Sequence, residues 1–489
     1  MMVTRAQLAD ELRRLGLGAG NVVMVHSSLS SIGRVEGGAD AVIEALLEVV
    51  GPTGTVMMPS FHWVQPYDPD LPSRMGAISE RFRNWPGVAR GFHPTHPVNA
   101  IGPKAEALLK DHIKSPTACG RETPFGRLMA MGGKILMLGV DNDRNTTMHT
   151  LEQYVEAPYL TDRDATYYDD AGRVQTAHLE LNPGPHRNFI GLDPMLRDAG
   201  AEVMGTVGNA VARLIDAKQM HDVMLAVFKH DPALVLCDNP SCDDCAMQRR
   251  KIREARLRRE RFTLSALASV ISPYPDEIAH EMNRAGVYDL VLDRLYGEPV
   301  WEVSRSRLRR AAETFEAEGV AIGAVYCSSD SARVEGAFAL AESVGTKAVV
   351  APFPPDPAAF LKAGKAAGVD VYFENAGFSS SVCMRLLEAA GAGPAAAFNP
   401  AAFAIGGEKP FLGVVNHTAF RRYIGMLYLA DATFAGKYTQ PARGNGEVKE
   451  LLSVMRCRSF AGRVVIATGP GGPGFRELVE GFWAMMDGM

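Results

Sequence analysis

Gly132-Gly-Lys-Ile-Leu-Met-Leu-Gly-Val140, followed by Asn145-Thr-Thr-Met-His-Thr-Leu-Glu152, decides how the first half of this chain is read. The first stretch is a glycine-bounded apolar run, the pattern of a buried strand. The second sets a histidine among hydroxyls and a carboxylate just past that strand's end. Open α/β sheets place their ligands there. An imidazole in that position takes up and returns a proton near neutral pH.

Upstream, strand and helix patterns alternate. Residues 4–16 read as an amphipathic helix, Asn21–Val25 as a short buried strand, Glu36–Val50 as a helix and Thr53–Met58 as a second strand. Residues 60–97, rich in Pro, aromatics and His, have no clean period and read as a long loop of the kind that carries function. Ala105–His112 reads as helical, residues 163–190 as β-rich with a turn at Asp169-Asp-Ala-Gly172, and Val207–Phe228 as one helical stretch. Arg90 with His93 and His96 adds a cation and two imidazoles, whose spacing suits a structural or lining role better than a zinc knuckle. His26-Ser-Ser-Leu-Ser-Ser-Ile-Gly33 lies between the first strand and a helix. Small hydroxyl residues and glycines there leave backbone N–H groups open to an anion, such as a phosphate-bearing cofactor. A serine-rich turn capping a helix is the alternative.

At 489 residues the chain is too long for one ordinary domain. Apolar content of 47% with 22% charged residues fits a soluble globular protein, and a net charge of −5 gives no strong pull toward nucleic acid or anionic lipid. No apolar run reaches the ~20 residues of a membrane span, and residues 1–10 read as a polar helix rather than an export signal, so a cytoplasmic location is expected. Four of the seven cysteines stand singly, and Cys119 has no His or acid near it in sequence to activate it as a nucleophile. Cys237, Cys242 and Cys245 cluster in a Pro- and Asx-rich turn. In a reducing compartment three thiolates suit a structural tetrahedral zinc, with His230 or a distant His as fourth ligand; a reduced, turn-rich cap is the alternative. Arg249–Arg261, RRKIREARLRRER, lacks interleaved aromatics and reads as a solvated helix joining two domains rather than a nucleic-acid helix.

From Phe262 a second rhythm begins. Strand candidates recur at Phe262–Ser269, Tyr288–Leu292, Ala321–Cys327, Lys347–Ala351, Val369–Asn375, Ala395–Asn399, Ile424–Asp431 and Arg463–Thr468. Helical patterns such as Arg309–Glu318, Ala332–Ser343 and Ser380–Ala390 separate most of them. Eight strands alternating with helices fit a (β/α)8 barrel. The expected organisation is a domain over 1–247, a basic helical linker over 248–261 and the barrel over 262–489.

Six blocks of the first half stand in a particular order: HSSLSSIG (26–33) with Val35 and Gly37-Gly38-Ala39, GTVMMPSF (54–61), Arg90 with HPTHPVNAIG (93–102), TPFGRL (123–128), GGKILMLGV (132–140) and NTTMHTLE (145–152). Together they resemble the aminoglycoside 3-N-acetyltransferase family over about residues 4–245. The resemblance implies a mixed sheet covered by helices, and transfer of an acetyl group from acetyl-CoA to an amine of an aminoglycoside, amino sugar or related natural product. It places His149 where the family's catalytic histidine stands. Ser27, Ser28, Leu29, Ser30, Ile32, Gly33 and Val35 match the loop that receives CoA, and Thr146 and Thr147 match hydroxyls near the thioester. The family's carboxylate partner lies about thirty residues beyond the histidine, and Glu180 is the match; Glu152, nearer in sequence, is the alternative. One departure stands at Arg90-Gly91, where the family carries Arg-Ser.

Phe373–Gly377 and Tyr428–Ala432 give the second half a resemblance to the xylose-isomerase-like superfamily of sugar isomerases and epimerases. Glu374 matches one metal ligand of that superfamily. Asn399, Tyr428 and Val465-Ile-Ala467 stand where an Asp, a His and a Glu are expected, so the barrel is expected to lack the metal site. Glu374, Asn375, His417 and Asp431 are its candidate ligand contacts. The leading expectation is thus a CoA-dependent N-acetyltransferase binding an amine acceptor and an acyl-CoA, with no nucleic-acid or membrane partner and an open oligomeric state, a homodimer included. The alternatives are a metal-dependent sugar isomerase carried by the barrel and a non-catalytic ligand-binding protein.

Overall fold

The computed structural model describes residues 2–182, 187–237, 239, 241–328, 334–354 and 356–489. They form two compact units, Met1–Ile252 and Arg253–Met489. Among the described residues no helix is long and apolar enough to cross a membrane.

The first unit is built on a seven-stranded mixed sheet of β1 (Val22–Ser27), β2 (Thr55–Pro59), β3 (Ala89–Arg90), β4 (Val98–Ile101), β5 (Lys134–Leu138), β8 (Glu202–Val207) and β9 (Ala210–Asp216), in the order β3-β4-β2-β1-β5-β9-β8. A separate antiparallel hairpin joins β6 (Thr161–Tyr168) to β7 (Val174–Leu181). The central strands β2, β1 and β5 run parallel. They read as near-continuous apolar runs because both faces are covered. The inner residues Met24, Met57, Ile135 and Met137 pack into one core, and Val23, Val25, Val56 and Leu136 into a second. The opening helix, Arg5–Leu15, lays Leu8, Ala9, Leu12 and Leu15 on the second core. Thr4 caps it by accepting the Gln7 N–H at 3.2 Å, and Gly16, at φ 108°, ends it.

Val207–Phe228, expected to be one helix, divides in two. Ala210–Asp216 is strand β9, with Ala210 and Ala212 buried and Val211 exposed. That is the period of two of a pleated strand, and it was hidden among good helix formers. Asp216 then caps the helix Ala217–Phe228 by accepting the Gln219 N–H at 2.9 Å. Residues 60–97 are not loop throughout, since they hold the helix Ala77–Arg83 and strand β3.

The second unit is a closed parallel barrel of β10 (Thr263–Leu267), β11 (Asp289–Leu292), β12 (Ala321–Tyr326), β13 (Ala348–Pro352), β14 (Asp370–Glu374), β15 (Ala396–Phe398), β16 (Ile424–Tyr428) and β17 (Arg463–Ile466). Val291, Ala324, Val350, Met426 and Val465 belong to a cluster of small and branched side chains, separate from the larger core that contains the buried residues of the surrounding helices. This is a packed barrel, not a pore. Of the expected helix Ala332–Ser343, Ala332 and Arg333 lie outside the described residues, and Val334–Ser343 is helical. From the basic run, Arg253 and Arg256 pair with Glu480 and Asp487 of the last helix. Those charges serve the fold.

Candidate functional site

Strand β5 ends at Leu138, and Gly139 turns the chain with φ 74°. A Cβ on Gly139 would lie 2.6 Å from Ser31 Cβ, so only glycine lets the serine-rich turn close over the strand end. The Ser28 N–H donates to the Leu138 carbonyl at 2.9 Å. Beyond the turn, Thr146–Met148 is a short 3-10 segment and His149–Tyr154 a short helix. Met148 and Leu151 sink into the core below this helix, and His149 faces a cavity of about 940 Å³.

His149 Nδ1 lies 2.6 Å from Glu152 Oε2. Glu152 is wholly buried, and its other oxygen accepts from Tyr159 OH at 2.9 Å and from Arg187 Nε. Burial alone pushes this carboxyl up, but His149 and Arg187 overrule it and hold it below the usual carboxylate range. An ionised carboxylate only accepts hydrogen bonds, so His149 carries its proton on Nδ1 and keeps the Nε2 lone pair. The Asn182 amide, at the end of the β6–β7 hairpin, stands 2.6 Å from the same Nδ1, and the edge of Phe189 packs on the ring at 5.1 Å between centroids. Glu152 and Phe189 therefore orient the ring; the Asn182 amide nitrogen, itself a donor, makes no hydrogen bond to an Nδ1 that carries a proton.

Glu180 is not brought to His149. It pairs across the ribbon with Asp162, and burial, with Asp162 adding, pushes its carboxyl up. The reason is geometric: a residue one turn along the same helix reaches the imidazole directly, whereas the β6–β7 ribbon delivers Asn182 instead. Of the expected CoA-loop residues, Ser27 lines the cavity, and its buried hydroxyl has no hydrogen-bond partner. Ile32 is core, and Val35 bridges to Val3. Ser28, Ser30 and Ser31 hydrogen-bond among themselves, and Leu29 and Gly33 complete that turn. Thr146 lines the cavity; Thr147 is fully buried with its hydroxyl unpartnered.

Three more histidines surround the site. His93 is buried, accepts the N–H groups of Thr95 and His96 on Nδ1, and stacks on His112 at 4.3 Å. His96 lines the cavity, and burial, with His149 and His112 adding, pushes it down to about 3. His26 also lines the cavity, and burial pushes it down to about 4. Cys119 lines the cavity as well, but burial pushes its thiol up beyond any nucleophilic range.

Sequence reasoning missed Tyr159, Asn182 and Arg187. Asn182 opens, and Arg187 follows, a Pro- and Gly-rich segment whose residues 183–186 lie outside the described residues. The sequence carried no clear signal for Arg187, which stands beside His186 and Asn188 and whose burial against Glu152 appears only in the fold.

The sulfurs of Cys237, Cys242 and Cys245 all lie within 4.8 Å of one another. The Cys237 N–H donates to Cys245 Sγ at 3.4 Å. The Cys245 backbone N–H pulls the Cys242 thiol down, and burial pushes Cys245 up to about 12. His230, named as a fourth ligand, is exposed and stands outside this cluster; Asp238 and Pro240 of the same turn are outside the described residues.

In the barrel, Glu374 lines the mouth at the strand C-termini, but the other three candidates do not. Asn375 exchanges hydrogen bonds with the Asn399 backbone, His417 is exposed, and Asp431 accepts the N–H groups of Gly444 and Gly446.

The aminoglycoside 3-N-acetyltransferase family model matches residues 24–229. Aminoglycoside N(3)-acetyltransferase IV of Salmonella sp is 34% identical over 237 residues, spanning 47% of this chain and 90% of that protein. Aminoglycoside N(3)-acetyltransferase VII of Streptomyces paromomycinus is 32% identical over 262 residues, spanning 46% and 91%. The solved apoenzyme of aminoglycoside acetyltransferase AAC(3)-IVa aligns at 32% identity and TM-score 0.48 over 52% of this chain and 98% of its own.

Proposed function

The chain belongs to the aminoglycoside 3-N-acetyltransferase family, a family of transferases whose co-substrate is acetyl-CoA, and from that premise we propose that its first unit acetylates a primary amine of an aminoglycoside or amino sugar with His149 as general base. The observation that carries this reading is the His149–Glu152 pair on the cavity wall, 2.6 Å apart, with Arg187 and Tyr159 behind it.

An ammonium group has no lone pair, so the reaction begins when His149 Nε2 removes one proton. The freed amine attacks the thioester carbonyl carbon, and a C–N bond forms. The intermediate sheds its second ammonium proton to solvent as the C–S bond breaks. The CoA sulfur leaves as thiolate and takes the proton held by the imidazolium. Glu152 keeps Nδ1–H fixed and stabilises the imidazolium while it exists. Arg187 and Tyr159 keep Glu152 ionised in its buried position. The unpartnered Ser27 hydroxyl and Thr146 are the donors nearest to hand for the carbonyl oxygen, where one well-placed donor is worth about 3 kcal/mol. The cavity also carries Arg74, Arg144 and Arg163, which suit the phosphates of CoA, and Asp143 and Asp164, which suit acceptor ammonium groups. Thiol release from acetyl-CoA with a panel of aminoglycosides and amino sugars tests the reading. Equal turnover by His149→Ala on an accepted amine overturns it.

The three-cysteine cluster supports a second proposal: Cys237, Cys242 and Cys245 supply three of the four ligands of a structural zinc. Elemental analysis of protein purified without added metal is expected to find about one zinc per chain. Chelation is then expected to lower the Tm of the first unit. Metal-free protein with an unchanged melt under chelator excludes the site.

A further inference from the structure

The mouth of the barrel holds a cavity of its own. It is a cavity of about 270 Å³ ringed by residues at or just past the C-terminal ends of the strands. That face collects the functional loops of any such barrel. Asp293 follows β11, Tyr326 closes β12, Glu374 closes β14, Asn399 follows β15, Tyr428 closes β16 and Thr468 follows β17.

Three observations define what fits. First, two carboxyl groups face the same small space, and neither forms an ion pair among the described residues. Glu374 accepts from Asn399 Nδ2 at 2.8 Å and from Tyr326 OH, and Asp293 accepts the Ser269 N–H at 2.9 Å. Arg294, at the rim, donates to the Gly297 carbonyl at 2.6 Å. Second, among the described residues the Tyr428 hydroxyl is buried with no partner, on a side chain only 2% exposed, and Thr468 Oγ1 is likewise buried and unpartnered. Unmade buried hydrogen bonds are costly, so these atoms await polar groups. Third, Trp301, Tyr326, Tyr428 and Tyr438 make the remaining wall aromatic. Aromatic faces beside carboxylates favour an organic cation.

A hard divalent cation asks for six or more oxygen ligands at close range. Here Asn399 and Tyr326 already aim N–H and O–H donors at Glu374, which suits a carboxylate receiving hydrogen bonds and not one wrapped on a metal. The volume lies below the ~300 Å³ at which pockets begin to take drug-sized ligands. We propose that the barrel mouth binds a single monosaccharide-sized molecule bearing hydroxyls and one protonated amine, with the amine between Asp293 and Glu374 and a hydroxyl on Tyr428.

Isothermal titration of the full chain with D-glucosamine, D-glucose and magnesium chloride tests it, in wild type, in Asp293→Asn/Glu374→Gln and in Tyr428→Phe. Glucosamine is expected to bind wild type at least about tenfold more tightly than glucose. The double substitution is expected to weaken it about ten- to hundredfold, the range for hydrogen bonds to charged groups. Tyr428→Phe keeps the ring and removes only the unpartnered hydroxyl, so it reports even where the double variant fails to fold; it is expected to weaken binding several-fold. Acetyl transfer by the first unit, measured in parallel, is expected to keep its KM and kcat in both variants, which separates this site from the His149 cavity. Absence of glucosamine binding, equal affinity for glucose, unchanged affinity in both variants, or stoichiometric magnesium binding in wild type overturns the proposal.

Discussion

Ten of the twelve histidines lie before residue 253, and four of them, His26, His62, His96 and His149, line the first cavity; no histidine lines the barrel mouth. The barrel uses two carboxyls and three tyrosines instead. The difference is one of chemistry. A site that must take a proton and return it within each cycle needs a group titrating near neutrality, while its neighbours are kept neutral by burial. A site that only holds a cation needs fixed acceptors. The first cavity is also the larger of the two, at about 940 Å³ against about 270 Å³.

The sharpest way to break this contrast is to remove the proposed base. His149→Ala is expected to lower kcat by about 10²- to 10⁴-fold with the KM for acetyl-CoA little changed, because the base acts in the transition state and not in cofactor binding. Steady-state thiol release reads it. Next comes the choice of carboxylate. Glu152→Gln keeps the shape, removes the charge behind Nδ1–H and takes the carboxylate out of its buried ion pair with Arg187. A drop of about 10²- to 10³-fold in kcat is expected, together with a stability loss on the order of 3 kcal/mol. Glu180→Gln is expected to stay within about threefold of wild type, in line with the ordinary effect of a change away from the reacting groups. The reverse ranking would return the role to Glu180.

That ranking shows where sequence reading stops. All eight barrel strands lie where the apolar runs between helical patterns put them, because a buried parallel strand announces itself by composition alone. The strand β9 did not, since Ala210–Asp216 is also a good helical sequence and only its pairing with β5 and β8 decides. At the site, the place of His149 past β5 was legible, but which of Glu180 and Glu152 stands beside it was left open. Glu152 and Glu180 differ in three-dimensional reach, not in residue type. Asp293 was not among the barrel candidates, although the position just past each barrel strand was the signal to follow. Tyr428 was seen as a metal ligand lost, and the structure shows it as a buried hydroxyl waiting for a partner.

A smaller effect separates the two units by pH. Burial holds His26 and His112 at about 4 and His96 at about 3, below the 6.5 of a free ring. A depressed histidine binds its proton in the unfolded chain first. The stability of the first unit is therefore full above pH about 6.5 and falls as pH drops from there toward 4. In the barrel, burial pushes Asp293 and Glu374 up. A raised carboxyl is protonated first in the folded state, so these two groups add stability as pH falls through their folded values and lose it as pH rises again. Calorimetry between pH 7.5 and 4.5 is expected to show the first unit's transition moving down by several degrees while the barrel's holds or rises. Parallel movement of both transitions would erase the contrast.

The smallest effect tests the rims. Trp63 is 62% exposed at the edge of the first cavity, its ring edge-on to Phe61 at 5.4 Å. An exposed indole contributes little to the fold, so Trp63→Ala is expected to change stability by no more than about 0.5 kcal/mol. What it offers is a flat apolar face to a sugar ring, worth about 0.5–1.5 kcal/mol of binding. The acceptor KM is accordingly expected to rise about two- to tenfold, with kcat and the KM for acetyl-CoA unchanged. Trp301 holds the matching place at the barrel mouth, and Trp301→Ala is expected to leave all three constants where they are. A fall in kcat for Trp63→Ala would mean that the indole aligns the amine with His149 rather than merely holding the acceptor, and the rim would then count as part of the reacting apparatus.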